Sequence, residues 1–189
     1  KASGKFTHKA GDKLLVDYCG QKLQVVDKST GEIQDVEVFV GILPCSGYTY
    51  VEATPSQRRE DFISSVNNCF SFLGGSTKAI VPDNLKSAVS KASKYEPILN
   101  KTLKDLALHY GCAINPTRSY SPQDKAMVEG AVKLVYQRIY FPLRNMTFFG
   151  LDELNAQLHI ELEKYNAYLM ETYQASRRKL FVDLEQEYL

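Results

Sequence analysis

The sequence predicts an α/β fold: a mixed sheet, made of an antiparallel three-strand meander plus parallel strands, flanked by helices. Three observations predict it. The N-terminal half alternates short β-branched and aromatic runs with turn residues. From Ser56 the apolar spacing changes to the helical period. Beyond Gly74-Gly75, short apolar runs and helical stretches alternate, the order expected of strand-helix-strand units.

The first run is Lys13 to Cys19, and Asp17 interrupts it. Leu23–Asp27 follows, then the turn Ser29-Thr30-Gly31, the long run Val36–Leu43 and, after Ser46-Gly47, Tyr48–Ala53. A carboxylate inside Leu-Leu-Val-Asp-Tyr is unusual, because burying one costs several kcal/mol unless it is paired or bound to a metal. The alternative is an aspartate at the solvated end of the strand, hydrogen-bonded in a turn. Phe62, Val66, Cys69, Phe70 and Leu73 then recur at helical spacing up to Gly74-Gly75, a C-terminal stop. Lys78–Asn84 reads as a buried strand with Asp83 at its carboxyl end, the place where α/β sheets put ligands. Asp83 equally suits a turn or helix cap. Residues 84–104 hold Lys86, Lys91, Lys94, Lys101 and Lys104 against the single acid Glu96. Such a stretch either meets a phosphate backbone or forms a solvated loop. Ile98, Leu99, Leu103, Leu106, Ala107 and Tyr110 mark a second helix ending at Gly111, and Cys112–Asn115 makes a last short strand.

Ser119–Arg144 is a loop feeding a helix with one carboxylate near its start, Glu129. Ser121 with Asp124 three residues on suits a capping pair, and Pro122 suits the first helical position. Val128, Val132, Val135 and Ile139 form one apolar stripe. Glu129 sits about 100° from it, at the edge of the core, and Lys133 lies one turn further on the same face. A last helix opens at Leu151, with Leu154, Leu158, Leu162, Tyr165 and Leu169 on one face. Tyr165, Tyr168 and Tyr173, with Arg177, Arg178 and Lys179 beyond, read either as packing or as a surface for a partner or DNA.

Composition narrows the classes. At 189 residues, 44% hydrophobic and 24% charged, the chain is long enough for one well-buried domain plus an appendage. A formal charge of +1 leaves a nucleic-acid partner open, since clustering of basic residues decides that. No apolar run approaches a membrane span, and KASGKFTHKAGDK lacks the apolar region of a signal peptide. Cys19, Cys45, Cys69 and Cys112 are scattered and far from His8, His109 and His159, which argues against a zinc site and for buried free thiols, three of them in strands.

One strand acid, one acid at the end of a later strand and one in the first turns of a helix make the trio Asp17, Asp83 and Glu129, the last two separated by 45 residues. With the words LLVDYCG, VPDNLKSAV, SYSPQDKAMVEGAVKLVYQRIY and PLRNMTFFGLDELN, this resembles the catalytic core of DDE transposases and retroviral-type integrases, closest to insertion-sequence transposases of the IstA type. The resemblance covers the chain from about Gly11 onward.

It implies a ribonuclease-H-like sheet and polynucleotidyl transfer without a covalent protein nucleophile, water and later a DNA 3′-hydroxyl attacking. Asp17, Asp83 and Glu129 would be both catalytic and metal-holding, for two Mg²⁺ ions that Mn²⁺ can replace; hard cations select carboxylate oxygen over thiol or imidazole. Lys133, Lys125 and Lys86 would contact DNA, and Asn84 would orient the site. Implied partners are transposon-end and target DNA, further copies of the full protein and an ATPase helper, with no membrane, in the bacterial cytoplasm at the nucleoid. Residues 1–12 would then link to a missing N-terminal region, 13–145 form the core, and 146–189 form a helical extension leading to a missing domain. Two other readings share the fold: a non-catalytic DNA-binding or assembly module, and a nuclease that cuts without joining.

Overall fold

The computed structural model describes residues 8–82, 101–114 and 122–189. The sheet begins with β1 (Lys13–Tyr18) and β2 (Leu23–Val26), which lie end to end along one edge of β3 (Ile33–Ile42). Tyr18 pairs with Phe39 and Leu23 with Val36, so residues 19–22 face only two residues of β3. That excess is a bulge, and it makes β1 and β2 one bent strand. The meander therefore has three strands in effect, with β4 (Thr49–Thr54) on the other edge of β3. β1 also pairs in parallel with β5 (Ala79–Pro82), and β5 in parallel with β6 (Ala113–Ile114). The sheet is mixed, as expected.

Period-two alternation along β1 feeds two cores. Leu14, Val16 and Tyr18 point to the side covered by α1 (Arg59–Leu73), where Phe39, Phe62, Val66 and Phe70 gather. Leu106 and Ala107 of α2 (Lys101–Tyr110) join that cluster. Leu15 and Cys19 point to the opposite side, covered by α3 (Pro122–Val135) and α5 (Leu151–Ala167) through Val128, Val135, Leu154, Leu158 and Leu162. α3 runs on through a π-helical turn, Tyr136–Tyr140, into the short α4 (Phe141–Leu143). Gly74 ends α1 in the left-handed conformation, φ 78°, its N–H bonded back to Phe70 and Ser71.

Two expectations need correction. Cys45 lies in the turn between β3 and β4 and is only half-buried, whereas Cys19, Cys69 and Cys112 are buried; a thiol two residues beyond Leu43 has left the sheet. Leu169 is 54% exposed, because α5 stops at Ala167 and the chain turns into a hairpin of β7 (Leu169–Met170) and β8 (Ala175–Ser176). Tyr165, by contrast, is core. Ser121, Ile98 and Leu99 lie outside the described residues.

α5 does more than cover the sheet. Asn155 accepts from the Ala53 N–H (2.7 Å) and donates to the Ala53 carbonyl (2.9 Å). Asn166, three turns later and fully buried, accepts from the Thr49 N–H (3.2 Å) and donates to the Thr49 carbonyl (2.8 Å). At Thr49 and Ala53 the outward backbone groups of β4 are thereby satisfied by side-chain amides. Beyond the hairpin, α6 (Arg177–Leu184) places Phe181 against Tyr48, stacked at 4.3 Å. Glu185 follows and is 1% exposed, its carboxylate accepting from the Gly11 N–H at 3.4 Å.

Replacing Asn155 or Asn166 by Ala leaves two buried backbone groups unpaired and is expected to lower stability by about 1–3 kcal/mol each, read as a shift in urea midpoint. Burial raises the Glu185 carboxyl above its ordinary value. The folded state then holds this proton more tightly than the unfolded chain, so stability is greatest below about pH 4.3 for this group and declines as pH rises through the folded value. Glu185→Gln removes that decline; urea midpoints of wild type and variant are expected to diverge in the variant's favour from about pH 5 upward.

Candidate active site

Asp17 is the fifth of six residues in β1, opposite Val40 of β3. It follows Leu15 on the side of the sheet that carries α3, and it is half-exposed. One carboxyl oxygen accepts the Tyr18 N–H at 2.8 Å. Asp17 is thus neither fully buried nor at the open end of the strand: Tyr18 and Cys19 after it are buried, and the ladder to β3 runs on through them. On the other edge of β1, β5 ends at Pro82, which pairs with Val16, the residue before Asp17. Asp83, Asn84 and Lys86 lie outside the described residues.

Glu129 is on α3 beside the buried Val128, as the stripe requires, and its side chain is 69% exposed. Lys125 Nζ stands 4.0 Å from its Oε1, and Lys133 is exposed one turn further on. Lys125, Glu129, Lys133 and Tyr136 fall within about 80° on the helix surface, a single stripe.

α3 runs parallel to β1 and is tied to it at two points. At the start, Lys13 Nζ lies 2.9 Å from both carboxyl oxygens of Asp124, whose side chain is 7% exposed. His8 Nδ1 stands 3.9 Å from the same carboxylate, but burial and Lys13 lower the imidazole's pKa, so it is neutral near pH 7. At the far end, the Tyr136 hydroxyl accepts the Gln21 N–H and the Tyr140 hydroxyl donates to the Gln21 carbonyl, each at 3.0 Å. Gln21 belongs to the bulge between β1 and β2. Tyr140 also meets Cys19, whose thiol burial pushes up to about 12. Asp17 thus lies four residues from either tie in the strand, and Glu129 lies between the two in the helix.

The donors on this side suit a hard cation: carboxylates that water reaches, with no accessible thiol or imidazole among them. Among the described residues no group of three or more His, Cys, Asp and Glu is placed to hold a metal ion. Two larger hollows lie elsewhere. One of about 360 Å³ sits on another flank of α3, against Met127, Gly130 and Leu134. The other, about 430 Å³, opens beside the Tyr136–Tyr140 tie toward Arg144 and Met146. Neither includes Asp17 or Glu129. Guanidinium groups stack on the tyrosines singled out in the sequence, Arg138 over Tyr168 at 4.3 Å and Arg177 over Tyr165 at 4.1 Å. Lys13, Asp124, Gln21, Tyr136 and Tyr140 were not read from the sequence as site residues; only the Tyr136–Tyr140 pair, one turn apart with Tyr136 on the Glu129 stripe, left a signal.

No family model matches the chain. A candidate transposase of Sinorhizobium fredii is 44% identical over 178 residues, 94% of this chain and 34% of that protein. A candidate transposase of insertion sequence IS1162 from Pseudomonas fluorescens is 38% identical over 189 residues, all of this chain and 34% of that protein. Among solved structures, the catalytic core domain of BIV integrase superposes with a TM-score of 0.66 at 12% identity, covering 92% of this chain and 95% of that one. The HTLV-2 integrase catalytic core domain in complex with magnesium gives a TM-score of 0.60 at 15% identity, covering 91% and 97%. The chain spans about a third of the length of the curated relatives it matches. Over its length the chain is similar to a segment of these insertion-sequence transposases, and its mixed sheet with flanking helices is the ribonuclease-H-like fold of integrase catalytic cores.

Proposed function

We propose that the chain is the catalytic core of a DNA transposase of the IstA type, which cleaves transposon ends and joins them to target DNA with Mg²⁺. What supports this reading is that Asp17, one residue past the end of the β5 ladder, lies on the side of the sheet covered by α3, the helix that carries Glu129 and is tied alongside β1. The whole-chain likeness to transposases supports it.

In this reading Asp17, Asp83 and Glu129 hold two Mg²⁺ ions, and Mn²⁺ can replace them. When bound, the ions neutralise charge on the attacking and leaving oxygens of an in-line displacement at phosphorus. The chain's own part is placement. β1 fixes Asp17 through its ladder with β3, Asp83 follows Pro82 of β5 in the sequence, and α3 carries Glu129. Lys125 and Lys133, on the Glu129 stripe, face the phosphate backbone; Lys86 assists, and Asn84 orients the site. Residues 13–145 form the catalytic core, with 1–12 and 146–189 leading toward regions that read transposon ends and target. The full protein would act in the bacterial cytoplasm, at the nucleoid, as a multimer with an ATPase helper. No helix among the described residues is long and apolar enough to cross a membrane.

Calorimetry with Mn²⁺ or Mg²⁺ tests the site. Asp17→Asn, Asp83→Asn and Glu129→Gln are each expected to weaken binding while circular dichroism keeps the wild-type signature. Binding untouched by all three sinks the site and leaves a non-catalytic DNA module of the same fold; cleavage without joining of a labelled end marks a nuclease instead. Lys133→Ala is expected to weaken DNA binding about equally for all sequences and to lower the slope of log affinity against log salt by about 1.

A further inference from the structure

We propose that Lys13, Asp124, Tyr136 and Tyr140 are positioning residues that set the axial register of α3 against β1, and so hold Glu129 beside Asp17. This rests on the reading of those two acids as a metal site.

The two ties differ in chemistry and share a geometry. The first joins the opening residue of β1 to the first turn of α3, with Lys13 Nζ centred between both Asp124 oxygens. The second joins the bulge after β1 to the π-helical turn after α3, with two hydroxyls taking the N–H and the carbonyl of a single residue, Gln21. Apolar contact alone leaves sliding open: Val128, Val135 and Ile139 press on the sheet through surfaces that a shift of one helical turn, about 5.4 Å, would largely replace. A directed ion pair and a bidentate clasp admit no such shift. Glu129 lies between them on the very stripe that carries Tyr136, so a displacement of α3 moves the carboxylate directly.

An ion pair with one member 7% exposed is a poor device for stability, since removing two charges from water offsets most of their attraction, and apolar replacements of similar size are often neutral or better. Its best-attested use is to specify register. The π turn has the same character. It widens the helix at the residues that must reach Gln21, and such turns concentrate at functional sites.

The test is the 189-residue chain carrying Lys13→Met with Asp124→Leu, and separately Tyr136→Phe with Tyr140→Phe, titrated with Mn²⁺ by calorimetry and melted without metal. Asp17→Asn serves as the site control. The expected result is a melting temperature within a few degrees of wild type and Mn²⁺ affinity lower by about ten- to a hundred-fold in both double variants, the usual effect of losing groups that orient ligands. The exchanged pair, Lys13→Asp with Asp124→Lys, is expected to recover most of the affinity. Wild-type affinity in both double variants, with Asp17→Asn defective, overturns the positioning role and leaves the site intact. Affinity and melting temperature lost together, without recovery in the exchanged pair, also overturn it, because the ties then serve stability alone. Asp17→Asn binding like wild type removes the site itself, and the positioning role with it.

Discussion

Everything in this fold depends on β1 being paired on both edges and covered on both faces. Leu14, Leu15 and Val16 are at most 1% exposed, and through them the antiparallel ladder to β3, the parallel ladder to β5 and both helical layers meet. A strand buried this completely tolerates a carboxylate only where one of its neighbours ends and water gains access. Asp17 is one residue past the β5 ladder, still paired with Val40 of β3 and partly exposed. The constraint runs from burial outward: the residue whose charge is costly in the interior is displaced to the carboxyl end of the central strand, next to the end of β5 and on the side of the sheet that α3 covers.

Much of the fold was legible in the sequence because it is written in local periods. β-branched runs broken by Gly and Ser gave the strands, and Phe62 to Leu73 gave α1 with its stop at Gly74. The stripe Val128, Val135, Ile139 gave the inner face of α3. What was not legible is what depends on a partner strand. The continuity of β1 and β2 exists only as a mismatch of register against β3, which no run of residues announces. Leu169 keeps the helical spacing of its neighbours, yet the chain has already turned at Tyr168, where the backbone becomes extended. Cys45 sits in an apolar neighbourhood of sequence and in a turn of the structure.

The site divides in the same manner. Asp17, Asp83 and Glu129 are recognisable because each stands out against its own surroundings, an acid in an apolar strand, at a strand end or beside an apolar stripe. Lys13 and Asp124 do not stand out. They are 111 residues apart, and each is unremarkable where it stands, a lysine opening a strand and an aspartate in the first turn of a helix. Gln21 contributes only its backbone and leaves no mark in the sequence at all. In the proposed site the acids assigned to the metal break the local pattern, whereas the groups proposed to place them conform to it.

The two asparagines of α5 have a consequence for how this chain meets others. An edge strand normally offers its outward amides and carbonyls to any extended segment that approaches. Here Thr49 and Ala53 are already answered by side chains on a helix that cannot leave without unpacking Leu154, Leu158 and Leu162. The sheet is closed to growth on that side once α5 has docked, and copies of the chain that associate there must do so helix to helix. Before docking the same edge is open, so the aggregation hazard of this edge falls in the interval in which the meander has formed and residues 151–167 have yet to arrive.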